Sequence, residues 1–143
     1  MPISYGGYPV IQTPRGTIVV NKNMRAELTW NPGFREFRQT QFLNGQQFVD
    51  SEILRLSEPY IPLLTGMLIK SGILGTEVGT GWIKWIAPYA RTQYYLPNRR
   101  PSMTGPLRGS FWFQRMKQAH GASILAGASK IMGTRYKWKG SRV

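Results

Sequence analysis

Residues 34–56 read FREFRQTQFLNGQQFVDSEILRL and predict the first long helix of this 143-residue chain. Four apolar residues in it recur at helical offsets of seven, four and three: Phe42, Val49, Ile53 and Leu56. Side chains at this spacing fall on one face of an α-helix. Pro59 and Pro62 follow closely, and proline ends helices because its ring clashes with the preceding turn.

A second long helix is predicted from Ser110, a residue type that favours the N-cap position, to about Gly133. Its apolar positions share one stripe: Phe113, Met116, Ile124, Ala128 and Ile131. Between the two helices, residues 68–78 and 82–87 are short apolar segments joined by Gly79-Thr80-Gly81. That pattern indicates a β-hairpin.

Two further segments, 17–20 and 25–30, favour strands, so the sequence predicts an α+β fold. We expect a small antiparallel sheet with two main helices packed on one face. The domain should span 25–133, between an extended N-terminal arm at 1–24 and a basic C-terminal tail at 134–143. The arm is rich in Gly and Pro, and either stays loose or becomes ordered on a neighbouring subunit.

Charge is distributed very unevenly along the chain. All six Asp and Glu residues lie at or before Glu77, where they nearly balance the basic residues. The 66 residues after Glu77 contain twelve Lys or Arg and no acidic side chain. A surface of this kind favours a negatively charged partner such as nucleic acid, an acidic protein surface or an anionic membrane.

Several functional classes find little support in the sequence. There are no cysteines, and His120 is the single histidine, so thiolate and paired-histidine metal sites are excluded. Asp50 and Glu52 point in different directions on a helix and do not form a catalytic carboxylate pair. We therefore expect neither an enzyme nor a cofactor. No apolar run spans a bilayer and no signal peptide is evident, so we expect a soluble, intracellularly made protein.

Four segments of the chain form an ordered set of motifs. They are LTWNPGF (28–34), FVDSEILRLSEPYIPLLTGMLIKSG (48–72), APYARTQYY (87–95) and TGPLRGSFWFQRMKQAH (104–120). Together they resemble the minor capsid proteins of tailed bacteriophages that infect Gram-positive bacteria. More distantly, they resemble phage tail-completion, or head–tail joining, proteins. The chain has Gln93-Tyr94-Tyr95 where the wider group often has an acidic residue followed by Gly-Thr.

The resemblance implies a structural protein of the virion neck, made in the host cytoplasm. Such proteins form a ring, commonly sixfold, between the head and the tail. The implied partners are further copies of the chain, other neck or connector proteins, the tail tube or its terminator, and the genomic DNA that passes through. A membrane is not among them. A tail terminator is the near alternative, and a basic nucleic-acid-binding protein is the alternative from another class.

Six residues are candidates for a subunit or partner interface. Thr65 and Gly66 form either only a turn that leads into a strand or a contact with a partner. Trp82 lies three residues from Trp85, which we expect to face inward while Trp82 faces a neighbour. The remaining candidates are aromatic residues near the second helix: Tyr94, Tyr95 and Trp112.

Seven residues are candidates for contact with a DNA channel or a neighbouring ring. Three belong to the loop at 97–109: Arg99, Arg100 and Arg108. The alternative interpretation is that this loop is exposed to solvent and makes no contact. Four belong to the tail, where basic and aromatic residues alternate as in proteins that contact phosphates and stack on bases: Arg135, Lys137, Trp138 and Lys139. Alternatively, the tail binds an acidic protein surface or packs on the chain's own sheet.

Overall fold

The computed structural model describes residues 16–21, 23–96 and 105–133. Its elements, in chain order, are β1 (Gly16–Asn21), β2 (Met24–Leu28), α1 (Phe34–Ser57), a 3-10 turn (Glu58–Tyr60), α2 (Met67–Gly75), α3 (Ala90–Tyr95) and α4 (Trp112–Ile131). The described part of the chain is therefore mainly helical, and the predicted α+β class is wrong. The helix-backed antiparallel sheet that we expected does not form in these residues.

The strands predicted near the N-terminus are present as a short hairpin. β1 and β2 pair antiparallel, with Ile18 opposite Ala26, and the register shifts between Val19 and Asn21. Trp30 then stacks on Phe34, the first residue of α1, with ring centroids 5.1 Å apart. This contact joins the hairpin segment to the first long helix.

The segment at 68–78 forms helix α2 where a strand was predicted. Gly66 adopts the left-handed conformation at the N-cap, with φ of 75°, and starts the helix. The buried residues of α2 are Leu68, Ser71 and Gly72, spaced at i, i+3 and i+4 as on one helical face. This spacing was hidden by Gly72 and Gly75, which suggested breaks in a strand.

Residues 82–87 form no strand, so the predicted β-hairpin at 68–87 is wrong. The backbone of Lys84 instead donates its N–H to the Thr76 hydroxyl over 3.1 Å. A Cβ placed on Gly75 would lie 2.6 Å from the Lys84 carbonyl oxygen, so only glycine permits this approach. Two hydrogen bonds between the Thr76 hydroxyl and the Lys84 backbone, together with one close backbone contact, replace the strand pairing.

The two long helices are confirmed, and they pack antiparallel against each other. A Cβ on Gly127 of α4 would lie 2.6 Å from the Phe48 ring of α1. A Cβ on Gly45 of α1 would likewise lie 2.6 Å from the side chain of Met132, which follows α4. Large side chains of one helix thus fill the space that a glycine leaves on the other.

The core lies between α1, α4 and the shorter elements. Its buried apolar residues are Tyr60, Ile61, Leu68, Ala90, Trp112, Met116 and Ile124. The predicted stripe of α1 contributes Val49, Ile53 and Leu56 at the edge of this cluster, whereas Phe42 remains 46% exposed. Trp85 packs against the core as expected.

A buried carboxylate fixes the turn that follows α2. Asp50 of α1 is 1% exposed, and its Oδ2 accepts the backbone N–H groups of Gly79 and Gly81 at 2.8 and 3.0 Å. Its Oδ1 accepts from the Gln46 side-chain amide at 2.8 Å. Both glycines have positive φ, which lets two nearby N–H groups converge on one oxygen atom.

We predict that Asp50→Ala destabilises the fold by about 2–3 kcal/mol, because it leaves buried N–H donors without an acceptor. Asp50→Asn should be milder, since its carbonyl oxygen still accepts from Gly79 and Gly81. Urea unfolding, compared at the transition midpoint, measures both effects.

Glu52→Gln on the same helix is the matched control. Glu52 bonds Arg55 at the surface, with an N–O distance of 2.6 Å, and exposed ion pairs stabilise folds little. Its midpoint should stay close to that of the wild type. An Asp50→Ala midpoint equal to that of Glu52→Gln would contradict the structural role of Asp50.

Candidate interaction surface

The described residues contain no group of three or more His, Cys, Asp or Glu side chains that could hold a metal ion. Among these residues, no helix is long and apolar enough to cross a membrane. The surface is instead notable for large apolar side chains that the fold leaves exposed. Apolar patches of this kind often mark contacts with other macromolecules.

One exposed apolar surface lies on α2 and just before it. We call it the α2 outer face, and it consists of Leu64, Met67, Ile73 and Leu74, which are 96%, 56%, 60% and 78% exposed. Met67 and Leu74 are seven residues apart and share one side of the helix. The opposite side, with Leu68 and Gly72, is buried.

The predicted interface residues Thr65 and Gly66 lie within this surface. Thr65 is exposed, and Gly66 caps α2 between Leu64 and Met67. Trp82 is 70% exposed, so the expectation that Trp85 faces inward and Trp82 outward is confirmed. A partner contact for Thr65, Gly66 or Trp82 stays a prediction.

A second apolar surface is an open groove of about 300 Å³ between α3, the start of α4 and the segment at 82–87. We call it the aromatic groove, and its lining residues are Trp85, Ala90, Arg91, Tyr94, Tyr95, Trp112 and Phe113. The Tyr94 ring meets the Trp112 ring edge to face at 4.8 Å, and Trp112 meets Trp85 at 5.8 Å. Such pairs stabilise each other beyond their buried area.

The predicted interface residues from this region separate into two groups. Tyr95 is 59% exposed and Tyr94 is half-buried, so both are within reach of a partner. Trp112 is 1% exposed and belongs to the core, and its assignment as an interface residue stays a prediction. One helix face cannot bury three consecutive aromatic residues, and here Phe111 takes the outer position, with 38% of its surface exposed.

Phe111 holds an unusual backbone conformation at the start of α4. Its φ is 51°, in the left-handed region that bulky residues rarely occupy. The N-cap is therefore Phe111, not the predicted Ser110, and no side chain caps the helix. The Phe111 N–H donates to the Tyr94 carbonyl at 3.0 Å, and the two rings lie 5.4 Å apart. Strain of this kind is typical of functional sites.

The Arg108 side chain bonds its own chain. Its guanidinium donates to the backbone carbonyls of Glu58 and Ile61 at 3.1 and 2.7 Å. Arg115, expected on the exposed face of α4, similarly donates to Ser110 and Leu107 at 2.9 and 2.6 Å. These two arginines fasten the segment before α4 to the end of α1, so Arg108 has a structural role beside its predicted contact with DNA or a neighbouring ring.

Six of the predicted contact residues lie outside the described residues: Arg99, Arg100, Arg135, Lys137, Trp138 and Lys139. The positions of the arm at 1–15 and of the tail at 134–143 are likewise outside them. The interpretation of these segments therefore remains the one drawn from their sequence.

Sequence reasoning missed the apolar residues of α2 and the role of Phe111. The signal for α2 was available, because the apolar residues Met67 and Leu74 are seven residues apart and share one side of a helix, away from Leu68. It was overlooked when the segment was interpreted as a strand. The Phe111 conformation has no sequence signal, since it depends on the Tyr94 carbonyl and ring.

Comparisons of the chain with known protein families, with curated proteins and with solved structures find no match. Any functional conclusion therefore depends on the residues themselves and on the geometry described above.

The half-buried Tyr94 makes alkaline stability testable. Burial raises the pKa of the Tyr94 hydroxyl above its ordinary value, although the backbone N–H of Gln114 opposes the shift. The folded protein thus holds this proton more tightly than the unfolded chain does. The resulting stability is fully present below the ordinary tyrosine pKa of about 10 and is lost as pH rises through the raised value.

We predict that the free energy of unfolding falls more between about pH 8 and about pH 11 in the wild type than in Tyr94→Phe. Urea unfolding at both pH values gives the two differences. Tyr89→Phe, which removes the hydroxyl of an exposed tyrosine, is the control and should behave like the wild type. Equal alkaline losses in Tyr94→Phe and the wild type would contradict this prediction.

Proposed function

We propose that this chain is a structural virion protein of a tailed-phage neck, where it forms a ring that joins the DNA-filled head to the tail. The observation that carries the proposal is the presence of two separate apolar surfaces on one small folded subunit. The α2 outer face and the aromatic groove are both exposed in the single chain. A subunit that binds neighbours through two different surfaces is the unit from which closed rings are built.

Two further observations support the proposal. The chain carries the motifs at 28–34, 48–72, 87–95 and 104–120 that resemble phage minor capsid proteins. Its second half is strongly basic, which suits a position close to DNA or to an acidic protein of the neck.

The fold type itself gives no support to this assignment. We expected an α+β subunit, and the described part of this chain is mainly helical. The proposal therefore relies on the surfaces, the motifs and the charge. A tail terminator remains the near alternative, and a phage experiment separates the two.

The direct test is a nonsense codon at this gene in a phage that encodes it, followed by electron microscopy of the lysate. We predict DNA-filled heads lying separate from tails of normal length, because joining fails after both parts are complete. A suppressor host that restores the full chain is the control and should give joined particles. Tails of irregular length would favour the terminator, and intact infectious particles would contradict both assignments.

Charge favours a second candidate, a basic nucleic-acid-binding protein, because the residues after Glu77 carry twelve basic and no acidic side chains. The affinity of such a protein for DNA falls steeply as the salt concentration rises, because salt cations compete with Lys and Arg for the phosphates. For a ring protein we predict no retained duplex DNA in a gel shift at ~150 mM salt. Strong retention at this salt concentration would favour the nucleic-acid-binding protein.

A further inference from the structure

A chain of contacts joins the inner side of α2 to the aromatic groove. A Cβ on Gly72, on the inner side of α2, would lie 2.6 Å from the indole nitrogen of Trp85, which lines the groove. Trp85 contacts Trp112, and Trp112 contacts Tyr94. The inner side of α2 thus supports one wall of the groove, while the α2 outer face remains exposed.

The surfaces also differ in shape and in chemistry. The α2 outer face presents flexible aliphatic side chains, of which Leu64 and Leu74 are the most exposed. The groove is a concave site with aromatic walls, and its volume of about 300 Å³ accommodates a few aliphatic side chains. An exposed aliphatic face and an open aromatic groove remove each other's apolar area from water when they pack together.

Charged residues beside the two surfaces are complementary as well. Glu77 lies two residues beyond the end of α2 and is exposed. Arg91 lines the groove and is also exposed. No ion pair to Glu77 or Arg91 is formed among the described residues. Because no acidic residue follows Glu77 in the sequence, any acidic partner of Arg91 comes from Glu77 or earlier in the chain, or from another molecule.

We propose that the α2 outer face of one copy of this chain occupies the aromatic groove of the next copy, with Glu77 of the first beside Arg91 of the second. This inference rests on the proposed ring function and specifies its interface. Each contact is heterologous, so an open assembly keeps one free α2 outer face at one end and one free aromatic groove at the other until the ring closes. Buried Leu64 and Leu74 supply most of the apolar contact, and the ion pair at the rim favours the correct orientation.

The absence of cysteines allows a specific cross-linking test. The full chain is prepared as Leu74→Cys and, separately, as Tyr95→Cys, and the two are mixed and treated with a short bismaleimide. We expect a cross-linked dimer in the mixture and almost none with either variant alone. Ala122→Cys, on the exposed side of α4, is the control and should give no dimer when mixed with Tyr95→Cys.

Several outcomes would overturn the interface. A Leu74→Cys chain that links efficiently to itself would show a symmetric contact through α2. Equal yields from Ala122→Cys and Leu74→Cys would show random collision. A chain that remains monomeric at its highest soluble concentration, with no dimer in the mixture, would show that a second copy is not the occupant of the groove.

Charge reversal tests the orientation independently. Glu77→Arg and Arg91→Glu should each weaken self-association by roughly threefold or more, and the double variant should recover most of the loss. Sedimentation measures the dissociation constants, and Glu27→Arg, at the exposed end of β2, is the control for net charge. Equal weakening in the control, or no recovery in the double variant, would overturn the Glu77–Arg91 contact.

The interface and the neck function can fail separately. Rings that form without the Leu74–Tyr95 cross-link would overturn the interface and leave the neck assignment standing. Normal particles from the nonsense phage, together with efficient cross-linking, would overturn the neck assignment and retain the contact between copies.

Discussion

The Asp50 carboxylate is the constraint on which the arrangement of the shorter elements depends. It is buried in α1, and it accepts hydrogen bonds from the backbone N–H groups of Gly79 and Gly81, in the turn that follows α2. An unpaired carboxylate in this position would be strongly unfavourable, so the turn must stay in place. With the turn fixed, α2 is held against Trp85, and Trp85 in turn forms one wall of the aromatic groove. Both apolar surfaces of the subunit thus depend on one charged group.

The two long helices could be predicted from the sequence, and the middle of the chain could not. α1 has a regular apolar period and clear proline stops, so its bounds were predicted within one residue. The segment at 67–75 is short, and its glycines are there for close approach to Trp85 and Lys84, contacts that involve residues distant in the sequence. Local patterns cannot reveal such contacts, and the glycines were taken as signs of a hairpin. The structural role of Asp50 could not be predicted for the same reason, since the glycines that it bonds lie about thirty residues further along the chain.

The candidate surface was predicted in part. Tyr95, Trp82 and Thr65 are exposed as expected, because aromatic and turn residues outside the helical stripes have little room in a core. Trp112 is buried, since Tyr94 and Trp85 enclose it on either side. Exposed apolar residues on α2, together with the groove and the uneven charge, support a subunit that is completed by its neighbours. In the proposed ring, neighbouring copies cover these apolar surfaces.

Electron cryomicroscopy of the neck in intact particles of a phage that encodes this chain tests the central claim most directly. Our account predicts a closed ring of this chain between head and tail, with Leu74 of each subunit against Tyr95 of the next. Particles whose neck density contains no copy of the chain, or copies that touch only DNA and not one another, would contradict it.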